Sequence, residues 1–178
     1  MDLLTGDDFT DLFLSFKDTA FHLELSDTYH VPEESVPLAM FLAGRHDDFS
    51  WHQPWLKLVR HAVQAGKRMT RVRVVSMPHS DYVRWGLTVA PLNIDAGEEI
   101  RWLPRHLAEG IDFPAGDYWL FDDRRVVFTV FHEDGRFIGG AETADPRVIE
   151  QCLRVHDQVW TLAIPHAEYI GSEYCSSA

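Results

Sequence analysis

The chain has 178 residues, 46% of them apolar and 12% aromatic, which fits one compact domain over residues 1–178 with a core of its own. Its net charge of −12 argues against direct, general binding to nucleic acid or anionic membrane, because phosphate affinity rests on Lys and Arg. No apolar run is long enough to span a membrane and the amino terminus, MDLLTGDDF, carries no signal-like segment, so a cytoplasmic location is expected.

Phe9, Leu12, Phe13 and Phe16 recur at helical spacing and predict a helix over residues 7–21, with Asp7 or Asp8 as its cap. AFHLEL (20–25) alternates apolar and polar, the pattern of a strand with Phe21, Leu23 and Leu25 inward. Pro32 opens a short helical piece that stops at Gly44. Residues 1–50 thus read as a helical and strand extension packed on the core. Pro54 opens a helix that buries Trp55, Leu58, Val59, Ala62 and Val63 and ends at Gly66.

TRVRVVSM (70–77) is the next predicted strand, and Ser80 or Asp81 caps a helix running toward Ala90. EIRWLPR (99–105) and DYWLFDD (117–123) follow as strands. VVFTVF (126–131) and RFIGGAE (136–142) form a hairpin across EDG, since Asp-Gly tolerates the positive φ angles of a tight turn. Asp145-Pro146 opens a helix with Val148, Cys152, Val155, Val159 and Leu162 on one face, and 166–178 reads as a loose tail. The order predicts an α/β (α+β) single domain: a mixed, twisted sheet of about five to six strands with helices packed on it. Its strand-helix-strand unit implies a parallel, right-handed crossover.

Between Asp48 and Asp81 there is no acidic residue, while Lys57, Arg60, Lys67, Arg68, Arg71 and Arg73 lie in that window. Such a segment on an acidic body suits an acidic partner or self-association, or is simply a solvated face. Ligands of open α/β sheets sit beyond the carboxyl ends of strands, which makes His79, Ser80 and Asp81 candidates for a ligand crevice. Ser80 and Asp81 equally suit a helix cap. Asp122, beside Asp123, is a second candidate, for a ligand or for the turn of DDRR. Glu98 and Glu99 read as solvated charge at a strand entry. Trp85 and Trp102, flanked by Arg84 and Arg101, resemble interface anchors; with Arg71 and Arg73 they form the candidate interaction set. No phosphate loop, dinucleotide fingerprint, nucleophile elbow or zinc-protease motif occurs, and the two cysteines suggest neither a disulfide framework nor zinc. No catalytic residue, metal or cofactor is assigned on these grounds.

The ordered set WLKLVRHAVQAGKRMTRVRVV, SDYVRWGL, AGEEIRWLPR, DYWLFDD and GRFIGGAE resembles an uncharacterised actinobacterial family often seen in streptomycetes, from about Phe9 to Tyr169. That family has no assigned activity, and its genes often lie near helix-turn-helix regulators. A fainter similarity is to half of a phospholipase D-like fold, whose motif is His-x-Lys-x4-Asp. With Asp122 as the motif Asp, Ala115 stands in place of the nucleophilic His and Asp117 in place of the Lys, so the resemblance implies the fold without the chemistry. The expectation is a non-enzymatic regulatory or protein-interaction domain whose partner is a protein, such as a DNA-binding regulator. A homodimer is expected on base rates. The alternative is an enzyme or small-ligand-binding protein using the crevice near Ser76–Asp81 and Asp122.

Overall fold

The computed structural model describes residues 3–175, which form a mixed α/β domain around a seven-stranded sheet. In chain order the elements are α1 (Gly6–Ser15), β1 (Thr19–Glu24), α2 (Pro32–Leu42), a 3-10 turn (Ser50–His52), α3 (Gln53–Gln64), β2 (Arg68–Val75), α4 (Asp81–Ala96), β3 (Glu99–Pro104), a 3-10 turn (Arg105–Ala108), β4 (Tyr118–Phe121), β5 (Arg125–Phe131), β6 (Phe137–Thr143), α5 (Pro146–Leu162), β7 (Ile164–Pro165) and α6 (His166–Tyr169). The strand order is β6-β5-β4-β1-β2-β3-β7. β1, β2 and β3 run parallel: β1 reaches β2 through α2 and α3, and β2 reaches β3 through α4, the last being the crossover that the strand-helix-strand pattern predicts. β4, β5 and β6 form an antiparallel meander beside β1, and β7 runs antiparallel to β3.

β1 lies at the middle of the sheet, so the first fifty residues supply the centre of the core, not an extension laid upon it. Both faces of the central strands are covered, as parallel sheets require. One face carries Phe21, Leu23, Val72, Val74, Leu103, Tyr118, Leu120 and Val126, and α5 lays Cys152, Val155 and Val159 on it. The opposite face meets α1 and α3 at one end, where Leu12, Phe13, Leu56, Val59 and Ala62 pack on Ala20, Met69, Trp119 and Phe121. Toward the other end α4 packs Val83 and Ala90 on Val75, Ile100 and Trp102.

Several local signals behave as read. Ser80 caps α4 by accepting from the Val83 N–H at 3.1 Å, and Asp145 caps α5 by accepting from the Arg147 N–H at 2.9 Å. α4 continues through Pro91 to Ala96, beyond the stop expected at Ala90, because Asn93 and Ala96 bury their side chains in the interior. Of the tail expected to be loose, the described part is held: α6 follows the β7–β3 pairing and the Tyr169 ring is fully buried beside Trp102, with centroids 5.6 Å apart, while residues 176–178 lie outside the described residues.

Candidate functional site

The two predicted ligand positions lie at opposite ends of the sheet. Residues 76–80 follow the carboxyl end of β2, whereas Asp122 follows β4, which runs antiparallel to β1 and pairs Phe121 with Ala20 at the start of that strand. The two do not converge on one crevice. Asp122 and Asp123 both have positive φ (52° and 56°) and make the β4–β5 turn. The Asp122 carboxylate accepts N–H bonds from Lys17 (2.9 Å), Asp18 (2.7 Å) and Thr19 (3.0 Å), fixing the chain where it enters β1. These bonds outweigh the burial that opposes its charge and lower its pKa.

The 76–81 loop is equally occupied with holding itself. The Ser76 N–H donates to Asp27 Oδ1 (2.7 Å), Ser80 Oγ donates to the Asp27 carbonyl (2.5 Å), and Arg105 Nε donates to Ser76 Oγ (2.9 Å). Both nitrogens of His79 are engaged, Nδ1 by the Ser76 carbonyl and Nε2 by the Tyr169 hydroxyl. Asp81 pairs with Arg84 at 2.9 Å on the exposed first turn of α4.

The interaction set divides by burial. Trp102 is fully buried, donating its Nε1 proton to His166 Nδ1 at 3.0 Å, and Trp85 is buried, stacked on Trp51. Arg71 is buried and Arg73 half-buried against Glu24, so neither they nor the two tryptophans stand on the surface as anchors. Their alternation with Val72 and Val74 resembles a half-exposed strand, but β2 is interior and its second face is covered by helices. Arg101 spans Glu99, the Trp160 carbonyl and the Trp160 ring, and Arg84 remains exposed.

What the fold brings together instead is a chamber between the sheet and the layer of α1 to α4. Alternate residues of β1 and β2 supply its floor: His22 and Glu24 from one, Arg71 and Arg73 from the other. Arg71 donates Nη1 to Glu24 Oε1 (2.6 Å) and Nε to Glu98 Oε1 (2.7 Å). Arg73 Nε closes on Glu24 Oε2. Glu98, expected in solvent, is only 2% exposed. Its second oxygen accepts from Asn93 Nδ2 (2.6 Å), whose Oδ1 in turn bonds His52 Nε2 (2.6 Å). Gly86 of α4 makes room for this floor: a Cβ there would stand 2.5 Å from Arg73 Nη1.

A cavity of about 270 Å³ lies over the floor. His22, Arg71, Arg73, Glu34 and Tyr82 face it, with Trp51, Trp55, Trp85 and Trp119 as aromatic walls. An adjoining cavity of about 220 Å³ shares the same floor and reaches Tyr29, Asp117 and Thr129. There Tyr29 donates its hydroxyl to Asp117 Oδ2 (2.5 Å), and Tyr82 donates to Glu34 Oε2 (2.6 Å).

His22 is the anomaly in this network. It is 9% exposed and stacks on Trp119 at 4.1 Å, yet neither ring nitrogen has a hydrogen-bond partner among the described residues. Its Nδ1 stands 3.4 Å from Glu24 Oε1 without hydrogen-bonding geometry. Burial, assisted by the two guanidiniums and opposed by Glu24, lowers its pKa to about 3, so the ring is neutral at physiological pH. Burial pushes Glu24 up, but Arg73 and Arg71 outweigh it and bring the carboxyl to about 2. Burial raises Glu34, and raises Asp117 to about 6. Among the described residues no group of three or more His, Cys, Asp or Glu is placed to hold a metal ion.

The two positions that would carry phospholipase D-like chemistry, Ala115 and Asp117, border a shallow cleft beside the second cavity. The likeness to that fold holds at the level of architecture. The crystal structure of phosphatidylserine synthase from Haemophilus influenzae Rd KW20 aligns with 92% of this chain at a TM-score of 0.51 and 12% identity. The chain spans 38% of the length of that synthase chain. The chain belongs to the family described as a domain of unknown function, DUF6879, whose model matches residues 7–171. No curated protein matches the sequence.

The sequence reading missed His22, Glu24, Glu34, Tyr82, Asn93 and Glu98. A signal for two of them, His22 and Glu24, was present. Once β1 and β2 are recognised as neighbouring parallel strands, the polar residues of FHLE and RVRV must be buried side by side.

Proposed function

We propose that this chain is a non-enzymatic regulatory domain that binds a small molecule in the chamber and acts through a protein partner. The observation that carries the reading is His22. A buried imidazole with two unused nitrogens is costly unless something bonds it, and here its ring borders a cavity ringed by aromatic side chains. A role as general base suits His22 poorly, since a group with a pKa near 3 has little affinity for a proton at pH 7. None of the residues lining the main cavity is a Ser, Thr, Cys or Lys.

The partner we propose is a DNA-binding regulator of the helix-turn-helix kind, in an actinobacterial cytoplasm, with the domain itself a homodimer. Support comes from the family resemblance, from two free cysteines suited to a reducing compartment and from the frequency of dimers. No helix among the described residues is long and apolar enough to cross a membrane. The test is denaturing extraction of the full chain purified from its natural host, followed by mass spectrometry, with thermal shifts against a small-molecule library. A stoichiometric small molecule, or a saturable rise in Tm lost in His22→Phe, is the expected result. A chain that carries nothing and is stabilised by nothing would remove the proposal.

A second reading, catalysis, has one observation in its favour: Asp117, with a pKa near 6 beside Tyr29, could exchange a proton near neutral pH. It requires turnover of a bound compound that is lost in Asp117→Asn.

A further inference from the structure

We infer that the chamber is built for an uncharged, planar heteroaromatic ligand of one or two rings, bearing both a hydrogen-bond donor and an acceptor. This inference rests on the small-molecule reading above and names the class of ligand.

Size is the first constraint. A cavity of about 270 Å³ falls just short of the usual range of small-molecule pockets, about 300 to 1,000 Å³, and admits a ring system but not a peptide or a nucleic-acid strand. Shape is the second. Trp51 and Trp85 stack on each other and belong to one apolar cluster. Trp55 and Trp119 belong to another, on α3 and β4. Both groups line the same cavity, so a molecule inside meets aromatic surface from two separate sides. Flat π systems make the best use of such walls.

Charge is the third constraint, and it excludes the obvious alternatives. The guanidiniums of Arg71 and Arg73 face the cavity, which repels a cation despite the aromatic walls. Each guanidinium is already neutralised from behind, Arg71 by Glu24 and Glu98 and Arg73 by Glu24. Two cations balanced by two carboxylates, with Glu34 hydrogen-bonded by Tyr82 as a third carboxyl at the wall, leave no net positive charge for an anion. What the floor retains is hydrogen-bonding capacity. Arg71 spends Nε and Nη1 on the carboxylates, which leaves Nη2 to donate to a ring acceptor. The nitrogens of a neutral His22 point away from each other, Nδ1 toward Glu24, so only Nε2 is left for a ligand; as an acceptor beside the Arg71 Nη2 donor it asks the ligand for a donor as well as an acceptor. Neutral ring compounds with adjacent N–H and ring-nitrogen or carbonyl groups have this pairing.

The test is tryptophan fluorescence and calorimetric titration of the full chain with five probes: adenine, hypoxanthine, benzoate, inorganic phosphate and choline. Adenine or hypoxanthine is expected to bind saturably while the other three do not. His22→Phe keeps the stack on Trp119 and removes both polar atoms; Trp51→Leu keeps apolar volume and removes one π face. Each is expected to weaken ring binding by about tenfold or more, with Tm measured to establish that the variant is folded. Binding of phosphate, benzoate or choline in place of the rings would overturn the ligand class and leave the small-molecule reading standing. Rings that bind with unchanged affinity to folded His22→Phe and Trp51→Leu would also overturn it. Silence toward all five probes overturns the class as well, and host-purified chain that then yields no extractable molecule removes the underlying reading too.

Discussion

The two faces of the sheet are drawn from the same strands, one residue out of step, and they are built on opposite principles. Under α5, β1 and β2 present Phe21, Leu23, Val72 and Val74 to a dry core. On the other side the intervening residues, His22, Glu24 and Arg71, are buried and Arg73 is half-buried, yet they carry four polar side chains and three charges. Burying ions costs several kcal/mol each and mutual attraction only recovers that in good geometry, so the second face is not the way to make a stable sheet. A fold that already holds a dry face of this quality has no need of an ion network for stability. The difference supports the proposed reading, in which the polar face is kept for what it binds.

The comparison breaks most sharply at Glu24, which serves both guanidiniums. Glu24→Ala leaves Arg71 with Glu98 alone and Arg73 with no carboxylate, and is expected to cost about 3–5 kcal/mol in urea unfolding. Replacing Glu24, Arg71, Arg73 and Glu98 together by apolar residues of similar volume is expected to leave stability unchanged or to raise it by about 1–4 kcal/mol, while abolishing ligand binding. If that fourfold variant instead unfolds, the network is structural and the contrast between the faces loses its meaning.

A second measurement sharpens the contrast through pH. His22 has a pKa near 3 in the folded chain against an ordinary 6.5 in the unfolded chain. Below pH 6.5 the unfolded chain therefore takes up a proton that the native chain refuses, and stability falls as pH falls from 6.5 toward 3. Asp117 acts in the opposite sense: its raised pKa means the native chain binds the proton more readily, so its contribution declines as pH rises from about 3.8 toward 6. Subtracting the profile of His22→Phe from that of the natural chain isolates the imidazole. The difference is expected to have a slope of about 1.4 kcal/mol per pH unit between pH 6 and 4. Equal slopes would mean that His22 protonates in the native chamber.

The elements that carry their own local chemistry were legible in the sequence. The Trp55–Val63 stripe, the EDG hairpin, the Ser80 and Asp145 caps and the parallel β2–β3 crossover all follow from spacing or from a single residue's preference. The site was not, because alternation is ambiguous. AFHLEL written on an edge strand places His22 and Glu24 in water; written on the central strand, it buries them, and only the strand order decides. Glu98 illustrates the same limit. It follows Gly97 as if entering a surface strand, but the Glu98 N–H returns to the Asn93 carbonyl at 3.0 Å, and this turn carries its carboxylate back under α4 to Arg71. At Asp122 the turn of DDRR is the reading that holds, and what the sequence does not show is that its carboxylate is engaged by three backbone N–H groups far away in sequence.

The smallest expected effect separates the chamber from the surface. Of the arginines that sequence suggested for partner contact, Arg84 is the one still exposed, paired with Asp81 at i,i+3 on α4. Exposed pairs of this kind contribute about 0.5 kcal/mol or less. Arg84→Ala is therefore expected to leave urea unfolding within about 0.5 kcal/mol of the natural chain and chamber affinity unchanged. Capture of the proposed regulator partner should weaken in the same variant, because a charge at an interface rim shapes encounter even where it adds little stability. Partner capture that survives Arg84→Ala but disappears in His22→Phe would move the output from this helix surface to the occupied chamber, and would make ligand binding a condition of assembly.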